Sequence, residues 1–561
     1  MYARSTPQDP QFVKLCLQKP EEFSCVFDVD TLIEPDREID DTLILSAAAF
    51  CDNGIDHLLD GYSWALLARI SRSEIGSGLV INLKCKLVPA DEKLRQKEKH
   101  TITRKFGLFS GVLPWWRKIF TLGRLPELLL TGMEVERQTA HQPIFYRNLN
   151  QAYFCSAYTY PAFDITWPAD QPNIFEVNVS TSIPKICSRK TEAFIPSHFP
   201  KFYYTCMHPL LDPDSKELLT YSFLNHKFVR KTDVNFYAFG EDGISAPVVK
   251  YIIPDRAALH MFGFTKRYFI LFANSLVLNS EWGTLSMICG SPILRTIDDD
   301  FCGDLIIHFV PRSSELGLKP FSVNTKLQGY VYHTINCFDL DDGIVVDAFV
   351  SKLNPSRESS QFELGNNRSV FDNEGDPYRF YICNDTSLPG KEMSKAKILT
   401  VQLDSSIDFH CVNPGYLGRS YENWWMITHQ RYRDAEENIT KVTSKLTRIS
   451  IPVSSDPLKY DPETSMFSSR VSDSWGDPET TREYLRTPLF VPYKYAKTED
   501  DGVLFCWSYF STENNVLESQ LLMISPDLTV VKRIQIPGNH TIPYSVHCGV
   551  YTRHTEEESM Y

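Results

Sequence analysis

The sequence predicts an all-β fold built from many short strands. Runs of β-branched and aromatic residues recur along the chain, each bounded by Gly, Asp, Asn or Pro, while sustained helical periodicity is scarce. Such patterns are typical of a sandwich, a barrel or a propeller. Four histidines in distinctive contexts lie far apart between residues 208 and 547. This spread favours the propeller, because its blades bring distant segments to one axis.

Polar segments separate the strand signals, and no internal sequence repeat is visible. The clearest strand runs are YFILFANSLVLN (268–279), DGIVVDAFVSKL (342–353), KILTVQLD (397–404), DGVLFCWSYF (501–510), SQLLMIS (519–525) and TVVKRIQIP (529–537). The best helical candidate is 114–133. We interpret residues 1–40 as a polar N-terminal extension, 41–561 as a single β-propeller domain and 354–395 as a long loop or insertion.

Composition limits the classes of function. The formal net charge is −13 over 561 residues and the sequence has no basic face, so a nucleic-acid partner is not expected. The 14 cysteines are scattered singly, which indicates reduced thiols in a cytoplasmic protein. There is no apolar signal-peptide core, and no apolar run approaches the ~20 residues of a membrane span. We expect a soluble or peripherally membrane-bound protein.

The four histidines lie in four separate segments. These are HPLLDPDSKELLTY for His208, HMFGFTKRYFILFANSLVLN for His260, HTINCFDLDDGIVVD for His333 and SVHCGVY for His547. Their spacing excludes a zinc-finger clip, whose ligands come in close pairs, and suits a metal at the centre of a large scaffold. Imidazole binds Fe, Zn, Cu and Ni, so the histidines alone do not select the metal.

These segments, in this order, resemble the carotenoid cleavage oxygenase family, which includes the retinoid isomerase of the eye. The resemblance extends over roughly residues 45–555. It implies a seven-bladed β-propeller with a small helical or loop cap over a central iron site. It also implies that Fe(2+) is held by the catalytic residues His208, His260, His333 and His547.

The resemblance further implies carboxylates that orient the ligand histidines. HTINCFDLDD is similar to the family's H-x-x-N-A-[WF]-E with Asp339 in the acid position, and IDFHCVNPGYLGRSY (407–421) is similar to a second segment with Asp408 in that position. Both aspartates are one methylene shorter than the family's usual glutamate. A third acid would fall in 153–163, where Ala157 or Tyr158 stands instead.

Three other features have structural interpretations. Asp212 to Asp214 are expected to form the turn between two strands. The acidic run that begins at Glu499 is interpreted as a solvated hairpin loop. His410, like most of the remaining histidines, is assigned to the surface or to a satisfied core position.

The segment 106–133 combines Trp115, Trp116 and Phe120 with basic side chains. Such a basic and aromatic stretch indicates an interfacial membrane element, while a buried core helix is the alternative. The family resemblance favours membrane contact, because relatives carry an apolar patch in about this region and take substrates from lipid.

The function expected from the resemblance is oxidative cleavage of a conjugated C=C bond. The substrate would be an apolar carotenoid or apocarotenoid that reacts with O2 and yields two carbonyl products. Cleavage of stilbenes is less favoured, because the segment 148–155 lacks the lysine that stilbene cleavers use. The sequence is also compatible with a retinyl-ester isomerohydrolase on the same iron, and with a non-catalytic propeller that binds a ligand or a partner protein.

Overall fold

The structure of the chain is a computed structural model. The residues that the structure describes are 21–29, 38–39, 42–50, 62–73, 78–87, 146–148, 151–160, 169–178, 185–189, 204–206, 208–226, 231–239, 247–255, 257, 259–274, 303–341, 343–351, 375–383, 396–400, 409–434, 439–451, 471–475, 483–511, 517–540, 542 and 545–552.

Within these ranges the strands form seven antiparallel sheets of four or five strands each, and strands are numbered here in chain order. The first sheet has the spatial order β1 (Phe23–Val29), β4 (Leu79–Leu87), β3 (Tyr62–Arg72), β2 (Thr42–Phe50) and β31 (Ser545–Thr552). The second contains β5 (Tyr146–Asn148), β6 (Gln151–Tyr160), β7 (Ala169–Asn178) and β8 (Lys185–Arg189). The third contains β9 (Tyr204–Thr205), β10 (Leu210–Leu211), β11 (Leu218–His226), β12 (Lys231–Phe239) and β13 (Val249–Ile253).

The other four sheets follow one another along the chain. The fourth contains β14 (Phe262–Phe264), β15 (Tyr268–Ala273), β16 (Ile306–Pro311) and β17 (Phe321–Asn324). The fifth contains β18 (Tyr330–Asp339), β19 (Gly343–Ser351), β20 (Gly375–Cys383) and β21 (Ala396–Thr400). The sixth contains β22 (His410–Cys411), β23 (Asn423–Asp434), β24 (Ile439–Ser450) and β25 (Val471–Trp475). The seventh contains β26 (Glu483–Leu485), β27 (Leu489–Pro492), β28 (Gly502–Ser511), β29 (Leu517–Ile524) and β30 (Val531–Gln535).

Helical structure in the described ranges is confined to 3-10 turns. These are Ser314–Leu316, Pro414–Tyr416 and Pro537–Asn539. An all-β fold follows from the sequence pattern, because apolar and β-branched side chains alternate or run continuously over segments of strand length. All nine residues of β19 are buried, as expected of a strand covered on both faces.

The hydrophobic core lies between consecutive sheets. The third sheet shares a buried cluster with the fourth, the fourth with the fifth, the fifth with the sixth and the sixth with the seventh. A further cluster joins the seventh sheet to the first, where Trp507 and Tyr509 pack with Trp64 and Ile81. The first and seventh sheets, far apart in sequence order, are therefore neighbours in space.

The first sheet contains strands from both ends of the chain. β31 pairs antiparallel with β2, and this pairing places His547 opposite Ala47. β1 pairs with β4 in the same sheet, so the predicted boundary at residue 40 falls inside a sheet. Residues 23–29 are thus part of the β-structure although the sequence indicated a polar extension.

The six strand runs identified in the sequence all contain strands, which confirms the predicted all-β class. The interpretation of 354–395 as a loop or insertion is wrong for part of that segment. Residues Gly375–Cys383 form β20, which pairs with β19 and β21. Tyr378, Phe380 and Ile382 alternate along this strand and are buried in the core.

Two predicted turns have different outcomes. The turn at Asp212 is confirmed, since its Oδ1 accepts from the backbone N of Asp214 at 2.9 Å between β10 and β11. Glu499 is not a solvated loop residue. It is buried, and its carboxylate accepts from the backbone N of Glu422 at 2.7 Å and of Asn423 at 2.8 Å, so it anchors the start of β23.

Candidate metal centre

Three of the four predicted ligand histidines converge in the structure. Nε2 of His208 lies 3.1 Å from Nε2 of His260 and 3.3 Å from Nε2 of His333. One ring nitrogen from each residue lies within 4.8 Å of the other two. His208 is fully buried, and the other two are partly buried. This is the predicted set apart from His547.

The geometry of these nitrogens fits a shared metal ion. Two imidazole nitrogens bound at about 2.1 Å to one ion lie roughly 3.0 Å apart at a right angle and roughly 3.4 Å apart at a tetrahedral angle. The two observed separations, 3.1 and 3.3 Å, fall within this range. The group consists of histidines only, so a neutral donor set for a divalent transition metal is available.

Three sheets supply these side chains. His208 lies between β9 and β10, His260 two residues before β14, and His333 within β18. Each position is a strand end or an irregular strand, where the backbone is free to turn a side chain towards the centre. The arrangement explains why ligands so distant in sequence meet at one place.

The backbone around the first two histidines is tied together by a thiol and a phenol. Cys206 Sγ lies 3.4 Å from the backbone N of His208 and 3.6 Å from the carbonyl of His260. Tyr221, which is fully buried, donates its hydroxyl to the same His260 carbonyl at 3.0 Å. Neither residue was singled out in the sequence, where they are ordinary core positions.

An aromatic side chain stands beside the imidazoles. The ring of Tyr332 meets His260 edge to face with centroids 5.2 Å apart, and it packs on Tyr330 at 4.3 Å. Its sequence neighbour His333 is part of the three-histidine group. Tyr332 therefore limits rotation of the His260 ring and gives the centre an apolar wall.

The strand that carries His333 is fixed from outside its sheet. Asn336 donates to the carbonyls of Tyr416 and Arg419 at 2.9 and 3.1 Å, and its Oδ1 accepts from Gly418 N at 2.9 Å. The asparagine of the predicted H-x-x-N motif thus clamps the loop after β22 onto β18. Its function is structural and does not involve direct contact with the imidazoles.

Asp339 does not orient a histidine, which corrects the prediction. Its carboxylate pairs with Arg267, whose Nε lies 2.9 Å from Oδ1 and whose backbone N lies 3.3 Å from Oδ2. β18 extends from His333 to Asp339, and six residues at about 3.3 Å each carry the carboxylate roughly 20 Å along the strand. At that end it meets the β14–β15 turn.

Several predicted residues lie outside the described part of the chain. For His547 the backbone is placed on β31, but its side chain is not described. Asp408, the patch residues Trp115, Trp116 and Phe120, and the side chains of 153–163 are likewise outside it. In the described ranges, no helix combines the length and apolar character required to cross a bilayer.

His410 is a partly buried histidine beside the centre, and sequence reasoning assigned it to the surface or to a satisfied core position. Its Nε2 lies 3.0 Å from the carbonyl of Thr334, the residue after His333. Burial, with His333 as a second cause, lowers the pKa of His410 to about 3, so its imidazole is neutral. The sequence feature that could have identified His410 is its position two residues after Asp408, within a segment that resembles the family.

Together, the all-β fold and the buried three-histidine group define a class of protein: a β-sheet scaffold with an imidazole site suited to a transition metal. A family model described as retinal pigment epithelial membrane protein (RPE65) matches residues 178–552. The chain belongs to this family, in agreement with the carotenoid oxygenase resemblance of its histidine segments.

Similar proteins of known name agree with this assignment. Apocarotenoid-15,15'-oxygenase from Synechocystis sp. is 25% identical over 299 residues, and the match covers 52% of each chain, so this chain spans about half the length of that relative. A single-residue mutant of Synechocystis ACO has a TM-score of 0.68 at 15% identity, covering 98% of this chain and 100% of its own. An ACO/RPE65 chimera gives 0.68 at 16% identity with the same coverage. These structural matches support the fold alone.

Proposed function

We propose that the protein is a non-haem Fe(II) dioxygenase that cleaves a conjugated C=C bond of a carotenoid or apocarotenoid. The observation that carries the proposal is the convergence of His208, His260 and His333 through Nε2. Family membership narrows the chemistry to that of carotenoid oxygenases and their relatives. The match to an apocarotenoid oxygenase supports a polyene substrate.

We infer that the seven sheets are the blades of a closed propeller. The inference is supported by the shared cores between consecutive sheets and by the pairing of β31 with β2. In such a ring β31 would direct His547 towards the axis as the fourth ligand. The predicted cap over the site belongs to this same proposal.

Iron would activate O2, and the protein would hold the substrate in position. The net reaction adds one oxygen atom to each carbon of the broken C=C bond, so two carbonyl groups form and no external reductant is needed. Neutral imidazoles would leave both positive charges at the ion and contribute no anionic ligand of their own. Tyr332, half-buried beside His260, would help to keep the polyene in place and water away.

The experiment combines metal analysis with product analysis. Protein reconstituted anaerobically with Fe(II) is expected to hold about one iron per chain and to convert an apocarotenoid and O2 into two carbonyl products. His333→Ala is expected to lose iron and turnover, because an ion with fewer imidazole ligands is bound less tightly. His540→Ala, which removes a ring stacked on Phe23, serves as the matched control and should retain both.

The products distinguish the candidate functions. An alcohol released from a retinyl ester would indicate an isomerohydrolase, and cleavage of a stilbene but not a polyene would indicate the stilbene branch. Failure of the wild type to take up iron would contradict the enzyme proposal and favour a non-catalytic binding protein. Membrane contact through Trp115, Trp116 and Phe120 is a separate proposal, testable by sedimentation with liposomes.

A further inference from the structure

The strand that carries His333 is irregular at that residue. Between the Val331–Val350 and Thr334–Ala348 pairs, two residues of β18 stand opposite one residue of β19, and His333 is one of the two. A second register shift follows directly. Extra residues of this kind disrupt the hydrogen-bond ladder and re-aim side chains. The direction of the His333 side chain therefore depends on contacts beyond the ordinary sheet pairing.

Thr334, immediately after His333, is held by two such contacts. Its Oγ1 donates to the carbonyl of Phe262 at 2.8 Å, which ties β18 to the strand that follows His260. Its own carbonyl lies 3.0 Å from Nε2 of His410, on β22 of the next sheet. Both contacts are part of the buried interior, where an unsatisfied backbone group is unfavourable.

The second contact fixes the protonation pattern of His410. A backbone carbonyl only accepts hydrogen bonds, so Nε2 of His410 must carry the proton that is donated to Thr334. The ring is positioned by aromatic neighbours, with centroids 5.2 Å from Phe349 and 6.5 Å from Trp424. Phe349 is the residue that stands opposite the irregular pair on β18. The His410 imidazole thus packs against Phe349, opposite the irregular pair, and hydrogen-bonds to the backbone of Thr334.

We propose that His410 is a positioning residue for the metal centre: its Nε2–H holds the Thr334 carbonyl and thereby keeps His333 Nε2 directed at His208 Nε2. This inference rests on the proposed metal site and goes beyond it, since His410 is not itself a member of the three-histidine group. It acts on the ligand through the backbone. The centre then depends on a fifth histidine that contributes no atom to the ion.

The test uses Co(II) alone as the probe, added to metal-free protein. His410→Phe keeps an aromatic ring but removes the donor, and His410→Gln places an amide N–H near the position of the original Nε2. We expect His410→Phe to weaken Co(II) binding about tenfold, within the 10–100-fold range of residues that orient ligands, and to alter the visible absorption spectrum of the bound ion. His410→Gln should restore affinity to within about threefold and recover the spectrum.

Two further variants keep the test decisive. His410→Asn is polar but too short to reach Thr334, so it should behave like the Phe variant even if the latter fails to fold. His308→Phe removes a buried histidine elsewhere in the core, bonded to Tyr251 through Nδ1 at 3.1 Å, and should lower stability without changing the Co(II) spectrum.

The results distinguish this inference from the proposed function. If the folded Phe or Asn variant binds Co(II) with wild-type affinity and spectrum, His410 has no positioning role. If the wild type itself binds no Co(II), the proposed metal site is wrong, and His410 has no metal centre to position. A spectrum that changes equally in His308→Phe would show a general effect of losing a buried histidine, and would overturn the specific role.

Discussion

Tyr221 shows how much of the centre depends on side chains that are not ligands. Its hydroxyl donates to the His260 carbonyl at 3.0 Å from a fully buried position. Burial raises the pKa of Tyr221 well above its ordinary value, so the hydroxyl stays protonated and continues to donate. The position of His260 therefore depends on a tyrosine that belongs to none of the predicted ligand positions.

Replacement of Tyr221 by Phe is expected to loosen His260. The variant should lose about 1–3 kcal/mol of unfolding free energy, because a buried carbonyl loses its donor, and metal affinity should fall about tenfold. Denaturant unfolding of the metal-free protein and a metal titration measure the two effects. Tyr237→Phe, which removes a hydrogen bond to Ser222 at 3.2 Å, is the control. Equal metal affinity in both variants would contradict the role of Tyr221.

The sequence motifs predicted that the histidines converge, but they did not predict the partners of Asp339 and His410. Three of the four histidines meet as their flanking segments predicted. Asp339 was given the wrong partner because its motif does not reveal that the strand ends beside Arg267. His410 was overlooked for the same reason, since its bond to Thr334 joins residues 76 positions apart.

At the scale of one element, the two ends of β18 differ: one carries His333 of the three-histidine group, and the other carries the ion pair of Asp339. His333 occupies the irregular part of the strand, whereas Asp339 closes its far end through Arg267. The Arg267 side chain is 33% exposed and that of Asp339 16% exposed, so solvent screens part of their attraction. This pair joins the fourth and fifth sheets without contacting the imidazoles.

Asp339→Ala is expected to reduce stability and to spare the metal. The unfolding free energy should fall by about 1 kcal/mol, because a partly exposed ion pair with additional backbone bonding is lost. Metal content and affinity should match the wild type, as measured by elemental analysis and titration. Asp341→Ala, in the turn that follows β18, is a control expected to change neither. Substantial metal loss in Asp339→Ala would restore the orienting role that the motif suggested.

Whole elements were predictable when their apolar residues stood out from polar flanks. The runs that became β15, β19 and β28 are of this type. β20 was missed because Pro377 and Arg379 interrupt its apolar residues in a segment with polar flanks, although Tyr378, Phe380, Tyr381 and Ile382 are all buried. Its strand character comes from pairing on both sides, which a single sequence does not display.

For the molecule as a whole, the pairing of β31 with β2 links the two ends of the β-structure. β31 forms one edge of the first sheet, and this sheet shares a hydrophobic core with the seventh sheet. The all-β class was predictable from local patterns, whereas the identity of neighbouring sheets was not. That arrangement depends on contacts between residues hundreds of positions apart.

Removal of residues 545–561 is expected to destabilise the fold as well as the centre. The unfolding temperature should drop on the order of 5 °C or more, because β2 loses one of its two partner strands and the buried Cys548 is removed from the core. His547→Ala in the full chain should lower metal affinity with little change in that temperature. Thermal circular dichroism and metal titration measure both. An unchanged unfolding temperature after deletion would contradict a closing role for β31.

The same pairing has a consequence for synthesis on the ribosome. β2 emerges long before β31, so its outer hydrogen-bonding groups remain without their final partner while most of the chain is still being made. An unpaired strand edge is a template for incorrect association, and long-range pairing forms slowly. Because His547 lies on β31, its backbone joins the first sheet only when this late pairing forms. Under the proposed function, full metal affinity is therefore expected only after β31 has paired with β2.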